Sequence, residues 1–148
     1  MMRITTDVQF VVAETLRQNP WFEQNRVQII EQNKADLKYL LDKQVGALKN
    51  VVLVVGVDSL KNQHPAIEAE VTISTLEYVP LNRAGGDGSF VTAIEAAEAA
   101  VEILDGDWWH FFDLSHETPA ERVLAATATF RGLVNRDGGD SDAQTEET

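Results

Sequence analysis

The sequence predicts an α+β domain in which helices pack on a mostly antiparallel sheet of about five strands. Two observations support this fold class. Amphipathic helical patterns are interspersed with strand patterns, so that the elements follow the order α-β-α-β-β-α-β-β. Strand patterns also occur in neighbouring pairs on short connections, which favours antiparallel pairing.

The first predicted helix begins near Thr5 or Thr6, and Thr6 has capping-box spacing with Gln9. It ends before Pro20, because a residue that precedes proline is disfavoured in the helical region. Its apolar face consists of Val8, Val11, Val12 and Leu16. Trp21 and Phe22 follow as an aromatic pair. We expect them to pack in the core; the alternative for Trp21 is a contact with a partner protein.

A short strand is predicted over Val27–Glu31, and a second helix after Asn33. The spacing of four apolar residues makes one helical face, and Gly46 suits the position after the helix. Those four are Leu37, Leu40, Leu41 and Val45. The next segment, Val51–Val57, is apolar on both faces and therefore predicts a covered or central strand.

A polar loop is predicted over Asp58–Pro65, and a long alternating strand follows it up to Tyr78. Ile67, Ala69, Val71 and Ile73 share one face of that strand. After Thr75 the apolar positions change to Leu76 and Tyr78, which indicates a bulge, a twist or a change of partner surface.

The third helix is predicted to begin at Thr92, which has capping-box spacing with Glu95, and to end at Gly106. The last two strands are predicted over Trp108–Leu114 and Arg122–Val134, joined through His116–Pro119. We expect one domain over residues 1–134 and an acidic, polar tail over residues 135–148.

Composition excludes several functional classes. The chain has 148 residues, no cysteine, and a net charge of −12 from 24 acidic and 12 basic residues. Disulfides, thiolate metal sites and a cysteine nucleophile are therefore excluded. The charge argues against general nucleic-acid binding and against an anionic membrane surface, and we expect no sequence-specific nucleic-acid binding. We expect neither a secretory signal nor a membrane-spanning segment.

The loop between the long strand and the third helix lies where a phosphate-binding protein would hold its ligand. A P-loop needs lysine followed by Ser or Thr after its last glycine, whereas Ser89 and Phe90 follow Gly88 here, and Asp87 would repel phosphate. We therefore assign no cofactor, metal or catalytic residue. The alternative from another class is a small α+β binding module or hydrolase that uses His110, Asp113 and His116.

The run EYVPLNRAGGDGSFVTAIEAAEAAVEIL, from Glu77 to Leu104, resembles the tail terminator (tail completion) proteins of bacteriophages. In that family a strand ends in a Pro/Leu-Asn-Arg turn, followed by a glycine-rich loop and an alanine-rich helix. The residues that carry the resemblance are Pro80, Leu81, Asn82, Arg83, Gly85, Gly86, Gly88, Ala93, Glu95, Ala96, Ala97 and Val101. Ser89-Phe90 departs from the family, which often has a small residue followed by lysine there. The segment Ile29–Gly46 and the order of elements are similar as well.

The resemblance implies a virion structural protein without catalysis. Such proteins form a ring, usually hexameric, at the head-proximal end of the tail tube, where they end tube polymerisation and join the head connector. The expected partners are other copies of the chain, the tail tube protein and the connector or stopper protein; DNA would pass through an acidic lumen. A related alternative is another neck or head–tail joining component. We expect assembly contacts at Trp21, Lys61, His64, Asn82, Arg83, Gly85, Gly86, Asp87 and Gly88.

Overall fold

The computed structural model describes residues 4–32, 50–84 and 91–134, and these form one five-stranded sheet with helices packed against it. The elements are α1 (Ile4–Arg17), α2 (Pro20–Gln24), β1 (Gln28–Glu31), β2 (Val52–Gln63), β3 (Ala66–Tyr78), α3 (Val79–Ala84), α4 (Ala93–Leu104), β4 (His110–Ala120) and β5 (Val123–Val134). The strands lie in the order β1-β2-β3-β5-β4, and only the β1–β2 pair is parallel. The predicted α+β class is confirmed. The helix predicted after Asn33 lies outside the described residues.

Helix α1 buries an apolar face as its spacing predicts. Val8, Val12 and Leu16 are inaccessible to solvent because they recur every four residues and pack on the sheet. Arg17, at the end of α1, bonds to Glu14 and Glu31 and so links the helix to β1. Burial alone lowers the pKa of Arg17, but the hydrogen bonds to both carboxylates raise it above its ordinary value.

Strands β2 and β3 form a long hairpin, and here the sequence prediction was wrong. The segment predicted as a loop, Asp58–Pro65, continues β2 up to Gln63, and only His64 and Pro65 connect the strands. A bulge between Val57 and Ser59 breaks the register. Beyond it β2 is largely exposed, so the strand lacks the apolar alternation by which strands are recognised.

The helix-facing side of β3 belongs to the main core. Ile67, Ala69, Val71 and Ile73 pack there against α1 and α4, as the alternation predicts. Leu76 faces the other side, where it joins a second buried cluster. Its members are Val52, Val54, Leu76, Val123 and Ala125. The register of β3 with β5 runs without a shift. The apolar positions of β3 change after Thr75 because Leu76 is covered on the other face of the sheet. This agrees with the predicted change of partner surface, and the unshifted register excludes a bulge in β3.

Strands β4 and β5 form a second hairpin that is longer than predicted. His116–Pro119, predicted as the connection, lies within β4, and the turn is instead Glu121-Arg122, with Arg122 at a φ of 63°. A bulge at Phe112 shifts the register between Phe111 and Asp113. As the polar, exposed end of a hairpin, this part of β4 carries no apolar alternation.

Helix α4 begins as predicted. The Thr92 hydroxyl accepts the backbone N–H of Glu95, and the Glu95 carboxylate accepts the N–H of Thr92, which completes a capping box. At the other end Asp105 is the C-cap, and the N–H of Gly106 donates to the carbonyl of Trp109. The predicted tail, residues 135–148, lies outside the described residues.

Candidate functional site

A buried carboxylate lies at the end of β3 where the resemblance segment begins. The side chain of Glu77 is fully buried. Its Oε2 accepts hydrogen bonds from Asn82 Nδ2 at 3.0 Å and Arg83 Nε at 3.2 Å. Its Oε1 accepts from Arg83 Nη2 at 3.2 Å and from the backbone N–H of Ala93 at 2.7 Å. Glu77, Asn82, Arg83 and the Ala93 N–H are called the glutamate cluster below.

The local sequence explains how this cluster forms. Glu77 follows Ile73 and Thr75 on the helix-facing side of β3, so its carboxylate points towards the start of α4. The first N–H groups of a helix have no partner within the helix and attract negative charge. The capping box bonds the N–H groups of Thr92 and Glu95, and Glu77 takes that of Ala93. Thr75, also buried, donates its hydroxyl to the Ala93 carbonyl at 2.6 Å.

The glutamate cluster anchors both ends of the glycine segment. Asn82 Nδ2 donates to the Val91 carbonyl at 3.0 Å as well as to Glu77, so residues 82 and 91 are held together. The predicted contacts Gly85, Gly86, Asp87 and Gly88 lie between these anchors and outside the described residues. The polar groups that flank them are satisfied mainly by this chain's own groups.

Arg83 and Asn82, both predicted as assembly contacts, have different exposures. Asn82 is only 1% exposed. It can therefore affect an assembly surface only by positioning the residues around it. The Arg83 side chain is 44% exposed although it pairs with Glu77. Two of its five N–H groups bond to that carboxylate, and the exposed part of the guanidinium faces solvent. Sequence reasoning missed Glu77. The signal that could have identified it is a charged residue at a position that continues the buried, helix-facing side of β3.

Lys61 and His64 lie at the far end of the β2–β3 hairpin. Both residues are exposed, as are Asn62, Gln63 and Pro65 between and beside them. Leu60 precedes them and is 37% exposed. The structure therefore places these two predicted contacts on a projecting hairpin end, at the opposite end of β3 from Glu77.

Trp21 lines a groove between α2 and α4. Phe22 beside it is buried in the core, and the two rings meet edge to face with centroids 5.1 Å apart. The half-buried Trp21 has its other surface on a cavity of about 420 Å³. The cavity is lined by Trp21, Asn25, Val91, Glu95, Glu98, Ala99 and Glu102. The three glutamates recur along one side of α4, a signal that sequence reasoning left unused.

The three residues of the alternative hydrolase or metal site, His110, Asp113 and His116, do not all lie on one face of the sheet. The bulge at Phe112 places His110 and Asp113 opposite Arg131 and Thr129, on the face away from the helices. His116 pairs with Ala126, on the helix-facing side. A regular strand would put His110 and His116 on one face and Asp113 on the other. The bulge adds a residue between the two histidines, so Asp113 shares a face with His110 and His116 does not. In the described residues no group of three or more His, Asp or Glu is positioned to hold a metal ion.

No protein-family model matches the chain, and no curated protein sequence matches it. Among the described helices, none is long and apolar enough to cross a membrane.

Proposed function

We propose that this protein is a structural component of a bacteriophage virion, a tail terminator that forms a ring at the head-proximal end of the tail tube. There it would stop addition of tube subunits and present a surface to the head connector. The observation that carries the proposal is the glutamate cluster. The polar residues of the resemblance segment, Asn82 and Arg83, bond to Glu77 and to the backbone around the glycine segment. These bonds hold Asn82 and Val91 together on either side of the glycine segment, and such a fixed base suits an assembly element.

The distribution of surfaces supports a ring. The sheet carries a projecting, exposed hairpin at one end and an anchored turn with a groove at the other. Unlike surfaces on one subunit favour head-to-tail contacts, and these close into a ring when the rotation between subunits closes. The net charge of −12 would keep DNA from adhering to such a ring as it passes.

The alternative functions receive less support. Another neck or head–tail joining component remains in the same class and uses the same surfaces. A hydrolase or metal-binding module would need His110, Asp113 and His116 together, and the bulge in β4 separates them.

A tube-length assay tests the proposal. The protein is added to a tail tube protein of the same phage during polymerisation, and tube lengths are measured by electron microscopy. We expect shorter tubes, each with a ring at one end, and a multimeric mass by light scattering either alone or on tubes. Unchanged tube lengths with no bound ring would overturn the terminator proposal.

A matched variant separates the alternative class. His110→Ala combined with His116→Ala should leave ring formation and tube capping unchanged, because neither residue belongs to the glutamate cluster or to the hairpin end. If that variant loses a catalytic or zinc-binding activity that the wild-type protein has, the hydrolase alternative replaces the structural one.

A further inference from the structure

The end of the β2–β3 hairpin combines positive charge with exposed apolar surface in this acidic chain. We call residues 59–67 the arm. The arm contains Lys61 and His64 and no acidic residue, in a chain with a net charge of −12. Leu60 lies on its helix-facing side opposite Ala69, and Lys61 lies on the other side opposite Glu68. Because the copies of such a chain repel each other, an acid-free projection is the favourable place for them to meet.

The groove beside α2 has the complementary character. Its floor includes Trp21 and Ala99, which are partly buried against the core. Its rim includes the exposed Glu98 and Glu102, one turn apart on α4. Glu95 is less available for contact with a second molecule, because its carboxylate accepts the N–H of Thr92 in the capping box. At about 420 Å³ the cavity is in the lower part of the roughly 300–1,000 Å³ range of ligand pockets, so it fits a few side chains.

The arm and the groove cannot meet within one chain. Helix α4 begins beside Glu77, and α2 precedes β1, whose first residue pairs with Val52. Val52 pairs in turn with Leu76, so the groove starts near the Glu77 end of the sheet. It follows α4 towards the level of Ala69, where Trp109 packs on Gly132, whereas the arm ends at His64 and Pro65, beyond Ile67 in the direction away from Glu77. From Ile67 to Glu77 the strand extends roughly 30 Å at about 3.3 Å per residue. A contact between them is therefore a contact between two copies.

We propose that the arm of one copy inserts its end into the Trp21 groove of the next copy, with Leu60 on the apolar floor and Lys61 and His64 towards Glu98 and Glu102. This assignment rests on the proposed ring and identifies the interface that closes it. The two surfaces differ, so each copy offers one arm and one groove, and the contact is head to tail. An apolar centre with charged groups at its edge is the usual composition of such an interface.

Charge exchange across the interface is the first test. The variants Lys61→Glu and Glu98→Lys each place like charges in contact and should weaken association by about tenfold. The double variant restores opposite charges and should return association to within about threefold of wild type. Arg122→Glu and Glu121→Lys, in the exposed turn before β5, are the controls with the same changes in charge and should behave as wild type. Association is measured by sedimentation at low and high salt, in solution and on tail tubes.

The outcomes separate this proposal from the proposed function. A ring that is indifferent to both single variants overturns the arm–groove contact and leaves the terminator proposal standing. Loss in both single variants without recovery in the double variant also overturns it, because the two residues then meet different partners. A wild-type protein that is monomeric both alone and with tubes overturns both proposals.

Cross-linking provides a second, independent test, since the chain contains no cysteine. Lys61→Cys and Glu98→Cys are prepared separately and treated with a short bis-maleimide. We expect a covalent dimer when the two variants are mixed and monomers when either is treated alone. A dimer formed by Lys61→Cys alone would show arm-to-arm contact and overturn the assignment, as would the absence of a dimer in the mixture. Circular dichroism of each variant confirms that the fold is retained.

Discussion

The two ends of strand β3 differ in whether their polar and apolar groups are satisfied within the chain or exposed to solvent. At the Glu77 end the carboxylate is buried, and both of its oxygens are bonded to the turn and helix that follow. At the arm end Leu60 is 37% exposed and the polar side chains face solvent. At one end the chain itself therefore satisfies the buried carboxylate. The other end leaves its apolar and charged groups available to another molecule.

The largest expected effect is at the Glu77 end. Glu77→Ala should lower the free energy of unfolding by about 3 kcal/mol, because removal of the buried carboxylate leaves its buried hydrogen-bond donors without an acceptor. The N–H of Ala93 and the side chain of Asn82 would lose their acceptor. Urea denaturation followed by circular dichroism measures the change.

Two variants control that experiment. Glu77→Gln keeps an acceptor oxygen for Ala93 and should lose less, about 1–2 kcal/mol. Glu117→Ala, on the exposed part of β4, should change the free energy by less than about 0.5 kcal/mol. If Glu77→Ala is no more destabilising than Glu117→Ala, the glutamate cluster does not anchor the turn.

The base of the arm is packed more tightly than its end. Gly132 pairs with Ala69, and a Cβ there would lie 2.5 Å from the Trp108 carbonyl oxygen and 2.6 Å from the ring of the buried Trp109. Gly132→Ala should therefore cost about 2 kcal/mol of unfolding free energy, as measured by urea denaturation. Gly106→Ala is the matched control, since its new Cβ meets no atom closer than 4.0 Å. Equal stability of the two variants would mean that Trp109 moves aside without cost.

The fold class was predictable, and the details that failed have a common cause. The capping box of Thr92 and the alternation over Ile67–Ile73 depend on near neighbours in sequence, and both are confirmed. The ends of β2 and β4 were predicted short, because exposed strands carry no apolar alternation. The bulge at Phe112 has no sequence signal, yet it moves Asp113 to the face of His110.

The site was only partly predictable for a related reason. Asn82 and Arg83 were selected from the resemblance, but their partner Glu77 was not, because the change of apolar positions after Thr75 was interpreted as a break in the alternation. The alternation in fact continues, with Thr75 and Glu77 as polar residues on the buried side. Hydrogen bonds to α4 stabilise them there, and these depend on contacts distant in sequence.

A smaller loss of stability is expected at Thr75. Its substitution tests whether Thr75, as well as Glu77, is needed to fix the start of α4. Thr75→Val keeps the shape and removes the hydroxyl that donates to the Ala93 carbonyl, so it should cost about 1 kcal/mol of unfolding free energy. Hydrogen exchange should become faster in the first turn of α4. Thr129→Val, half-buried on the opposite face, is the control and should not destabilise. Unaltered exchange in α4 would show that Glu77 suffices to fix the start of the helix.

The smallest expected effect on the free energy of unfolding is at the arm. It is compared with the same substitution near the Glu77 end of the hairpin. Leu60→Ala should change the free energy of unfolding by less than about 0.5 kcal/mol, because the leucine is exposed in the single chain. Leu76→Ala, the same change on the same hairpin, removes a side chain that is 2% exposed and should cost about 2–5 kcal/mol. Denaturation of dilute, monomeric protein measures both. If Leu60→Ala were as destabilising as Leu76→Ala, the arm would already be packed within its own chain and would have no apolar surface to offer a second copy.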